Sequence, residues 1–286
     1  MLVLQCIIVA SIILIAVYAG LYAFGAWRWK MAARSLVERL DASQGVARSA
    51  RYDAAEIADL PVPVRRYFQL ALTDGQAVVR SADLAATGTF NLSLDTAQWK
   101  PFTAQQHVTS DRPGFFWDAT IMMFPGVPIL VYDAYIAGEG LLHPSIFGLF
   151  ALGDLRGTGD IARGELMRFL AEAVWYPTAL LPSQGVTWTA VDDASAQATL
   201  TDGPISLTLL FRFGAEGLIA SIHADARGGT LGGNIVTMPW ECRMSNYQRT
   251  EGMCVPFTGE AAYTTPDGDK PYFRGTITQI AYQFAP

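Results

Sequence analysis

The longest apolar run in the chain lies at its beginning, from Leu2 to Phe24. It contains no Asp, Glu, Lys or Arg, and Gln5 and Ser11 are its strongly polar side chains. At about 1.5 Å per residue, a helix of this length covers ~34 Å, which is enough to cross a hydrocarbon core of ~30 Å. We therefore predict a transmembrane helix over residues 1–25.

Tryptophans and cations follow the apolar run directly. The tetrapeptide Trp27-Arg28-Trp29-Lys30 suits the interface between a membrane and water. A cleaved signal peptide would begin with a charged region and have a shorter apolar run, so it fits less well. A buried core helix is the other alternative, and the length of the run argues against it. We expect a retained single-pass anchor that binds the bilayer through Leu2 to Phe24.

A charged segment and a polar linker come next. Residues 26–40 can continue the helix, whereas residues 41–53 are small and polar. We therefore predict a juxtamembrane helix and linker over residues 26–53.

The charges that flank the span favour one orientation. No Lys or Arg precedes the span, and within about 15 positions after it come four basic residues: Arg28, Lys30, Arg34 and Arg39. The positive-inside rule then places the C-terminal side in the cytoplasm. A single span offers only this one asymmetry.

Two amphipathic helices are predicted beyond the linker. The first lies in residues 60–72, where apolar side chains recur at spacings of three and four: Val64, Tyr67, Phe68, Ala71 and Leu72. The second runs from Asp160 to Trp175, with an apolar face and a separate charged face that carries Glu165, Arg168 and Glu172.

Most of the remaining chain alternates with a period of two, which is typical of half-buried strands. Residues 205–213 are the clearest case, and turn signals such as Pro266-Asp267-Gly268 separate the runs. About 11–12 antiparallel strands are expected, a number that usually makes a sheet curl or close. The predicted fold class is mainly β with a few helices (α+β). A strongly curved antiparallel sheet or open β-barrel follows the transmembrane helix, and residues 54–286 form one β-rich globular domain.

Composition excludes several classes of protein. The net charge is -6, and there is no basic run, so we expect no nucleic-acid partner. Charged residues make up 16% and apolar residues 51%, which indicates a folded core rather than a disordered chain. Cys242 and Cys254 are predicted to be free thiols, because a turn near residues 249–252 would pair Cys254 with about Tyr247.

The sequence carries no familiar catalytic signature. Gly157-Thr158-Gly159 begins like a dinucleotide-binding loop, but the third glycine is misplaced. The three histidines, His107, His143 and His223, have no second ligand at a metal-binding spacing. We therefore expect no metal, no cofactor and no assignable catalytic residue, and an enzymatic function is disfavoured.

Five charged residues are candidates for buried polar groups. Asp118 and Asp133 interrupt apolar strands, where a carboxylate must be paired, face a wet cavity or point outward. Glu165, Arg168 and Glu172 form either a charge network at a site or an ordinary solvated helix face. Buried carboxyl groups often have perturbed pKa values that suit acid–base chemistry.

Two apolar segments broken by proline and glycine, residues 121–132 and 146–152, look like poor regular strands. Their methionines and aromatics suit a pliable apolar pocket or lid, and they also suit a packed core. On the first interpretation the cavity-lining candidates are Trp117, Met122, Phe124, Tyr132, Phe147 and Phe150.

Several sequence blocks resemble a bacterial domain family of unknown function that is often preceded by membrane-spanning segments. The blocks span residues 60–72, 99–121, 131–140, 164–188, 238–263 and 271–282. The resemblance covers about residues 54–284 and implies no catalytic or cofactor residue. A glycine-rich stretch at Gly228–Asn234 departs from the family pattern and leaves the local strand register open. In outline the chain is also similar to the lipoprotein carriers of the bacterial envelope, which are unclosed antiparallel barrels with helices in an apolar cavity.

These features support three hypotheses of function. The first is a membrane-tethered module, in the bacterial inner membrane, that binds a lipid or another apolar ligand. The alternative is a structural or assembly protein of the envelope, with an unknown protein partner. An enzyme would require Asp118, Asp133, Glu165 and Glu172 to converge on one pocket. A carrier-like domain belongs outside the cytoplasm, which conflicts with the positive-inside rule.

Overall fold

The computed structural model of the chain describes residues 1–45, 49–231 and 234–286. Its three α-helices are α1 (Leu2–Ala42), α2 (Val62–Ala71) and α3 (Asp160–Glu172). A short 3-10 turn over Ala173–Trp175 continues α3 to the end of the predicted second helix. Helix α1 runs without a break, because nothing between Leu2 and Ala42 is a proline or another helix terminator.

The strands form one antiparallel sheet, which has 14 strands in the described part of the chain. Their bounds are β1 Val79–Asn91, β2 Trp99–Thr109, β3 Gly114–Phe124, β4 Val127–Ile136, β5 Glu139–Ile146, β6 Phe150–Ala151, β7 Leu155–Gly157, β8 Thr187–Asp192, β9 Ser195–Asp202, β10 Ile205–Phe213, β11 Ile219–Leu231, β12 Asn234–Thr250, β13 Met253–Thr265 and β14 Gly268–Phe284.

The order of the strands in space closely follows their order in the chain. Strand β1 pairs with β2 on one side and with β14 on the other. The full path is β6-β5-β4-β3-β2-β1-β14-β13-β12-β11-β10-β9-β8, with β7 beside β5. Within the described ranges no pairing joins the β8 edge to the opposite edge, so the sheet is open.

The predicted fold class is confirmed, and the predicted number of strands is too low. An open antiparallel sheet with a few helices and an apolar N-terminal helix is what the pattern indicated. The expected 11–12 strands omit short segments such as β6 and β7, which hold two and three residues. Segments of that length are too short to show an alternation. The register of the glycine-rich stretch near Gly228–Asn234 was left open, and its residues 232 and 233 lie outside the described residues.

Residues 121–132 form a hairpin that is paired along its length, with one register shift between Met122 and Phe124, although poor strands were expected. Strands β3 and β4 pair from Phe124 and Val127 at the turn to Phe115 and Tyr135 at the far end. The glycine that suggested an irregular segment lies in the turn itself, where Gly126 has φ +81°. Because glycine adopts this conformation without strain, the residue supports the hairpin.

The sheet is covered on two faces. Helices α2 and α3 pack on one face, here called the inner face, and build the main core. Helix α1 packs on the opposite, outer face of β3 and β4, with a second apolar cluster beneath it. In β3, Phe115 belongs to the inner core and Phe116 to the outer cluster, as strand alternation requires.

Helix α1 is fixed to the outer face by Trp29. This side chain is 7% exposed, and its ring stacks on Tyr132 with 3.6 Å between the centroids. Its indole N–H donates to Asp118 Oδ1 at 2.9 Å, and the Tyr132 hydroxyl donates to the Trp29 carbonyl. Farther along, Leu40 is fully buried. The predicted juxtamembrane helix therefore packs along the sheet, while residues 46–48 of the predicted linker lie outside the described residues.

A histidine links the end of α1 to the sheet. His107 Nδ1 lies 2.7 Å from Asp83 Oδ1, and its Nε2 lies 3.0 Å from Asp41 Oδ1. The hydrogen bond to Asp83 has the largest effect and raises the pKa of His107. Burial lowers this pKa, and the hydrogen bond to Asp41 raises it further, so the pKa is raised overall. This contact supports a structural role for the histidine.

The cysteines are free thiols, as predicted, although the expected register is wrong. Cys254 pairs with Arg249, because the hairpin turns at Glu251 and Gly252. Cys242 lies opposite Ala261 and is buried.

We predict that Gly25→Ala lowers the stability of the protein by about 1–3 kcal/mol through overpacking. A Cβ at Gly25 would lie 2.0 Å from the Phe147 carbonyl oxygen, whereas a Cβ at Gly20 has nothing within 4 Å. Thermal unfolding of the full chain in detergent micelles checks this, with Gly20→Ala as the matched control on the same helix. Equal melting temperatures for the two variants would contradict the packing of α1 on the sheet.

Candidate functional site

The register of β3 and β4 sends the two predicted strand carboxylates to opposite faces. Trp117 lies opposite Asp133, and Asp118 lies opposite Tyr132. Directly opposed residues in an antiparallel pair share a face. Asp133 therefore points to the inner face, towards α3, and Asp118 points to the outer face, where it accepts the hydrogen bond from Trp29.

Asp118 holds α1 in place and stands apart from the other candidates. Burial raises its pKa, and the hydrogen bond from Trp29 lowers it in part. The enzyme hypothesis required four carboxyl groups to converge on one pocket. Because Asp118 lies on the other face of the sheet, that condition is not met.

Arg168 joins α3 to the inner face of the sheet. Its Nη1 bonds Asp133 Oδ2, and its Nε donates to Glu172 Oε1 at 2.7 Å. The guanidinium carbon lies 4.8 Å from the centroid of the Phe115 ring and 5.0 Å from that of Trp117. Burial alone would lower the pKa of Arg168, but the neighbouring carboxylates, Glu172 first, raise it overall. The charged face of α3 is therefore buried rather than solvated.

Arg227 of β11 completes this group of charges, called here the buried cluster (Asp133, Glu165, Arg168, Glu172 and Arg227). Its Nη2 lies 3.9 Å from Glu165 Oε1, and its Nη1 donates to the Tyr272 hydroxyl at 3.0 Å. The guanidinium carbon also lies 4.7 Å from the centroid of the Trp240 ring. Two arginines thus face three carboxyl groups inside the fold.

Glu165 is the carboxyl group of the buried cluster whose ionisation is most disfavoured by its surroundings. Burial is the main cause that raises the pKa of Glu165 well above its usual value, and the negative charge of Asp133 is the second cause. Glu165 Oε2 and Asp133 Oδ1 are both buried without a fixed partner, yet the two carboxyl groups interact directly. A proton on Glu165 would allow it to donate to Asp133, which would satisfy both oxygens.

An open depression on the inner face adjoins the buried cluster. Strands β1, β2, β3 and β14 and the end of α3 surround it, and its apolar walls include Leu84, Ala86, Ala104, Trp117, Phe273 and Ile277. The depression contains about 350 Å³ of space, open solvent included, but only about 10 Å³ of it admits the centre of a water-sized sphere. This is room for about one water molecule, whereas ligand pockets usually have ~300–1,000 Å³. In this conformation it is a shallow groove.

One end of the depression is polar. Gln106 Nε2 donates to Glu172 Oε2 at 2.7 Å, and Arg168 lies beside them. Trp175 also lines the depression, and its buried indole N–H has no hydrogen-bond partner among the described residues. A buried donor left unpaired costs roughly 1–3 kcal/mol. An acceptor atom on a bound molecule would recover that free energy.

Of the six cavity-lining candidates, Trp117 is the one that lines this depression. Tyr132 lies on the outer face under Trp29. Phe147 makes edge contacts with rings of α1. The other three are exposed near the turns of the sheet: Met122, Phe124 and Phe150.

Sequence reasoning missed three residues of the site. Gln106 lies two positions from the buried Ala104 and Val108 along β2 and so shares their face, which means that an inward polar residue could have been recognised. Arg227 follows a register shift between Ala224 and Arg227, and such a bulge breaks the alternation that assigns a face. Trp175 lies in a 3-10 turn, where neither period applies.

The described residues include no group of three or more His, Cys, Asp or Glu side chains placed to hold a metal ion.

Three comparisons place the chain among known proteins. A family model described as a family of unknown function (DUF6920) matches residues 58–282. A search of curated proteins finds no match. Among solved structures, a LolA superfamily protein from Nitrosomonas europaea aligns over 89% of this chain and 94% of its own, with 10% identity and a TM-score of 0.37. A score of this size carries no conclusion about function.

We predict that Glu165→Gln stabilises the protein at pH 8 by at least about 1 kcal/mol. Because folding raises the pKa of Glu165, its contribution to stability is complete below the ordinary value of 4.5 and is lost as the pH rises towards the folded-state pKa. Glutamine stays neutral and can still donate to Asp133. Chemical denaturation between pH 4.5 and 8 measures the difference, which should shrink towards the acid end. The exposed Glu216→Gln is the control, and a parallel pH dependence in wild type and Glu165→Gln would refute the protonated carboxyl.

Proposed function

We propose that this chain is a membrane-anchored module that binds a lipid or another amphiphile in the depression beside α3. The chain belongs to DUF6920, a family of unknown function whose model matches residues 58–282. Membership of the family brings no activity with it, so the proposal rests on geometry. The observation that carries it is the unpaired indole N–H of Trp175, which lies in an apolar groove next to Arg168.

The two ends of the groove suit the two parts of an amphiphile. Small apolar residues, Ala86 and Ala104, pair directly across β1 and β2 and form a floor on which a hydrocarbon chain can lie. Gln106, Arg168 and Trp175 supply donors at the other part, where an ester, carboxylate or phosphate oxygen can accept. Binding sites commonly combine apolar walls with a few convergent polar groups.

Binding requires the groove to open. Phe273 is half-buried and lies across Gly275, where an added Cβ would be 2.5 Å from the phenylalanine ring. Rotation of this one side chain would uncover the floor of the groove without moving the sheet. We infer that Phe273 covers the site when no ligand is bound.

The membrane anchor is the N-terminal part of α1. This helix is long and apolar enough to cross a membrane, and its apolar stretch is not buried by the rest of the protein. A signal sequence satisfies the same criterion. The retained anchor is favoured because Gly25 and Trp29 of the same unbroken helix pack tightly on the sheet.

A structural or assembly role is the second candidate, and one feature of the sheet favours it. Strand β8 has β9 on one side and, among the described residues, no strand on the other. Most of its residues are exposed. A free edge of this kind can accept a strand from a partner protein.

We predict that Ala104→Phe lowers the affinity for a fluorescent fatty-acid probe at least tenfold, because the ring fills the groove. Gln105→Phe places the same ring on the opposite face of β2 and should leave the affinity unchanged. Titration of the full chain in detergent below the probe's own micellar concentration gives the dissociation constants, and native mass spectrometry tests for co-purified lipid. If both variants bind the fatty-acid probe with equal affinity and no lipid co-purifies with the wild type, the proposed lipid site is refuted.

The four basic residues after the span lead us to place the domain on the cytoplasmic side. Alkaline phosphatase fused after Pro286 in a bacterial host should then be inactive, and green fluorescent protein at the same position should fluoresce. Active phosphatase with a dark fluorescent fusion would reverse the orientation and leave the ligand site untouched.

A further inference from the structure

Three apolar side chains are exposed at one end of the sheet, beside the membrane-spanning part of α1. Phe124 is 63% exposed, Phe150 59% and Met122 37%. They lie at or next to the β3–β4 turn and the β5–β6 turn. This set is called here the tip patch.

Two contacts between α1 and the β3–β4 hairpin show which part of the helix lies beside the tip patch. The Tyr18 hydroxyl donates to the Gly126 carbonyl in the β3–β4 turn at 2.6 Å. At the other end of the hairpin, a Cβ at Gly114 would lie 2.5 Å from Leu40 Cδ1. Helix residues 18–42 cover about 36 Å, and an 11-residue strand covers about the same length. Helix and strands therefore run side by side along the whole hairpin.

The apolar run of α1 does not end at Tyr18. It continues without Asp, Glu, Lys or Arg to Phe24, about 9 Å farther along the helix. The β3–β4 turn lies at the level of Tyr18, so it lies beside the apolar, membrane-spanning part of the helix.

The chemistry around the tip patch matches that position. Lys100 Nζ lies 5.3 Å from the centroid of the Phe124 ring, and Trp27 is exposed on α1. Aromatic rings with nearby cations are typical of the membrane interface. Exposed phenylalanines on a turn would otherwise leave their apolar surface in water, which is unfavourable.

We propose that the tip patch inserts into the headgroup and acyl boundary of the leaflet in which the α1 span ends. The protein is then seated on the membrane by two elements, a spanning helix and a shallow aromatic turn. This inference depends on the membrane anchor of the proposed function and not on the ligand site.

Depth measurements on the full chain test the inference. Cys6→Ser, Cys242→Ala and Cys254→Ser give a background without thiols, into which single cysteines are placed at Phe124, Tyr18, Ile13 and Val191. Each is labelled with a nitroxide in nanodiscs of phosphatidylethanolamine and phosphatidylglycerol at a ratio of about 3:1. Accessibility to oxygen and to a water-soluble nickel complex then reports depth. Val191 is the control, because it is exposed and apolar but lies near the opposite ends of the strands.

The label at position 124 should lie within about 5 Å of the depth of the label at position 18, one helical turn. The label at position 13 should be deep, and that at position 191 should be in water. A deep label at 13 with an aqueous label at 124 would overturn the tip insertion and leave the anchor standing. An aqueous label at 13 would overturn both. Near-ultraviolet circular dichroism of each labelled protein verifies the fold.

Discussion

The pairing register of β3 and β4 is the constraint on which the rest of the structure depends. It sends Trp117 and Asp133 to one face and Asp118 and Tyr132 to the other. A polar side chain then joins a helix to each face of the hairpin, Arg168 of α3 on the inner face and Trp29 of α1 on the outer face. A slip of one residue would exchange the two sets and leave both helices without their partners. This hairpin carries α3 on one face and α1 on the other, so it connects the N-terminal helix to the core.

The buried cluster determines where α3 lies, and so it shapes the groove. Removing five ionisable groups from water carries a large desolvation penalty, and only close pairing offsets it. Such a network is weak evidence for high stability, because apolar residues of the same volume often pack as well. Its effect is positional: Arg168 of α3 reaches Asp133 of β4 in one placement of the helix on the sheet. Trp175 then comes to lie at the edge of the groove, with its indole N–H unpaired.

The sequence predicted the elements well and their contacts poorly, for identifiable reasons. Period-two alternation found β10, and period-3.6 patterns found α2 and α3. The charged face of α3 was ambiguous, because periodicity shows which residues share a face but not what covers that face. The β3–β4 hairpin was misjudged because a turn glycine resembles an interruption. The packing of α1 on the sheet could not be predicted, because its sequence is explained by a membrane span followed by a charged juxtamembrane helix without any contact to the sheet.

The direction of the groove relates the proposed site to the membrane. Strand β2 begins at the end of the sheet that carries the tip patch, so Ala104 lies nearer to that end than Gln106 does. Strand β14 runs the same way and brings Phe273 to the apolar part of the groove. The groove thus becomes more polar with distance from the tip patch. An amphiphile held as proposed would point its polar group away from the bilayer and its chain towards it. That orientation keeps the hydrocarbon next to apolar surface and away from water, which is the arrangement that apolar burial favours.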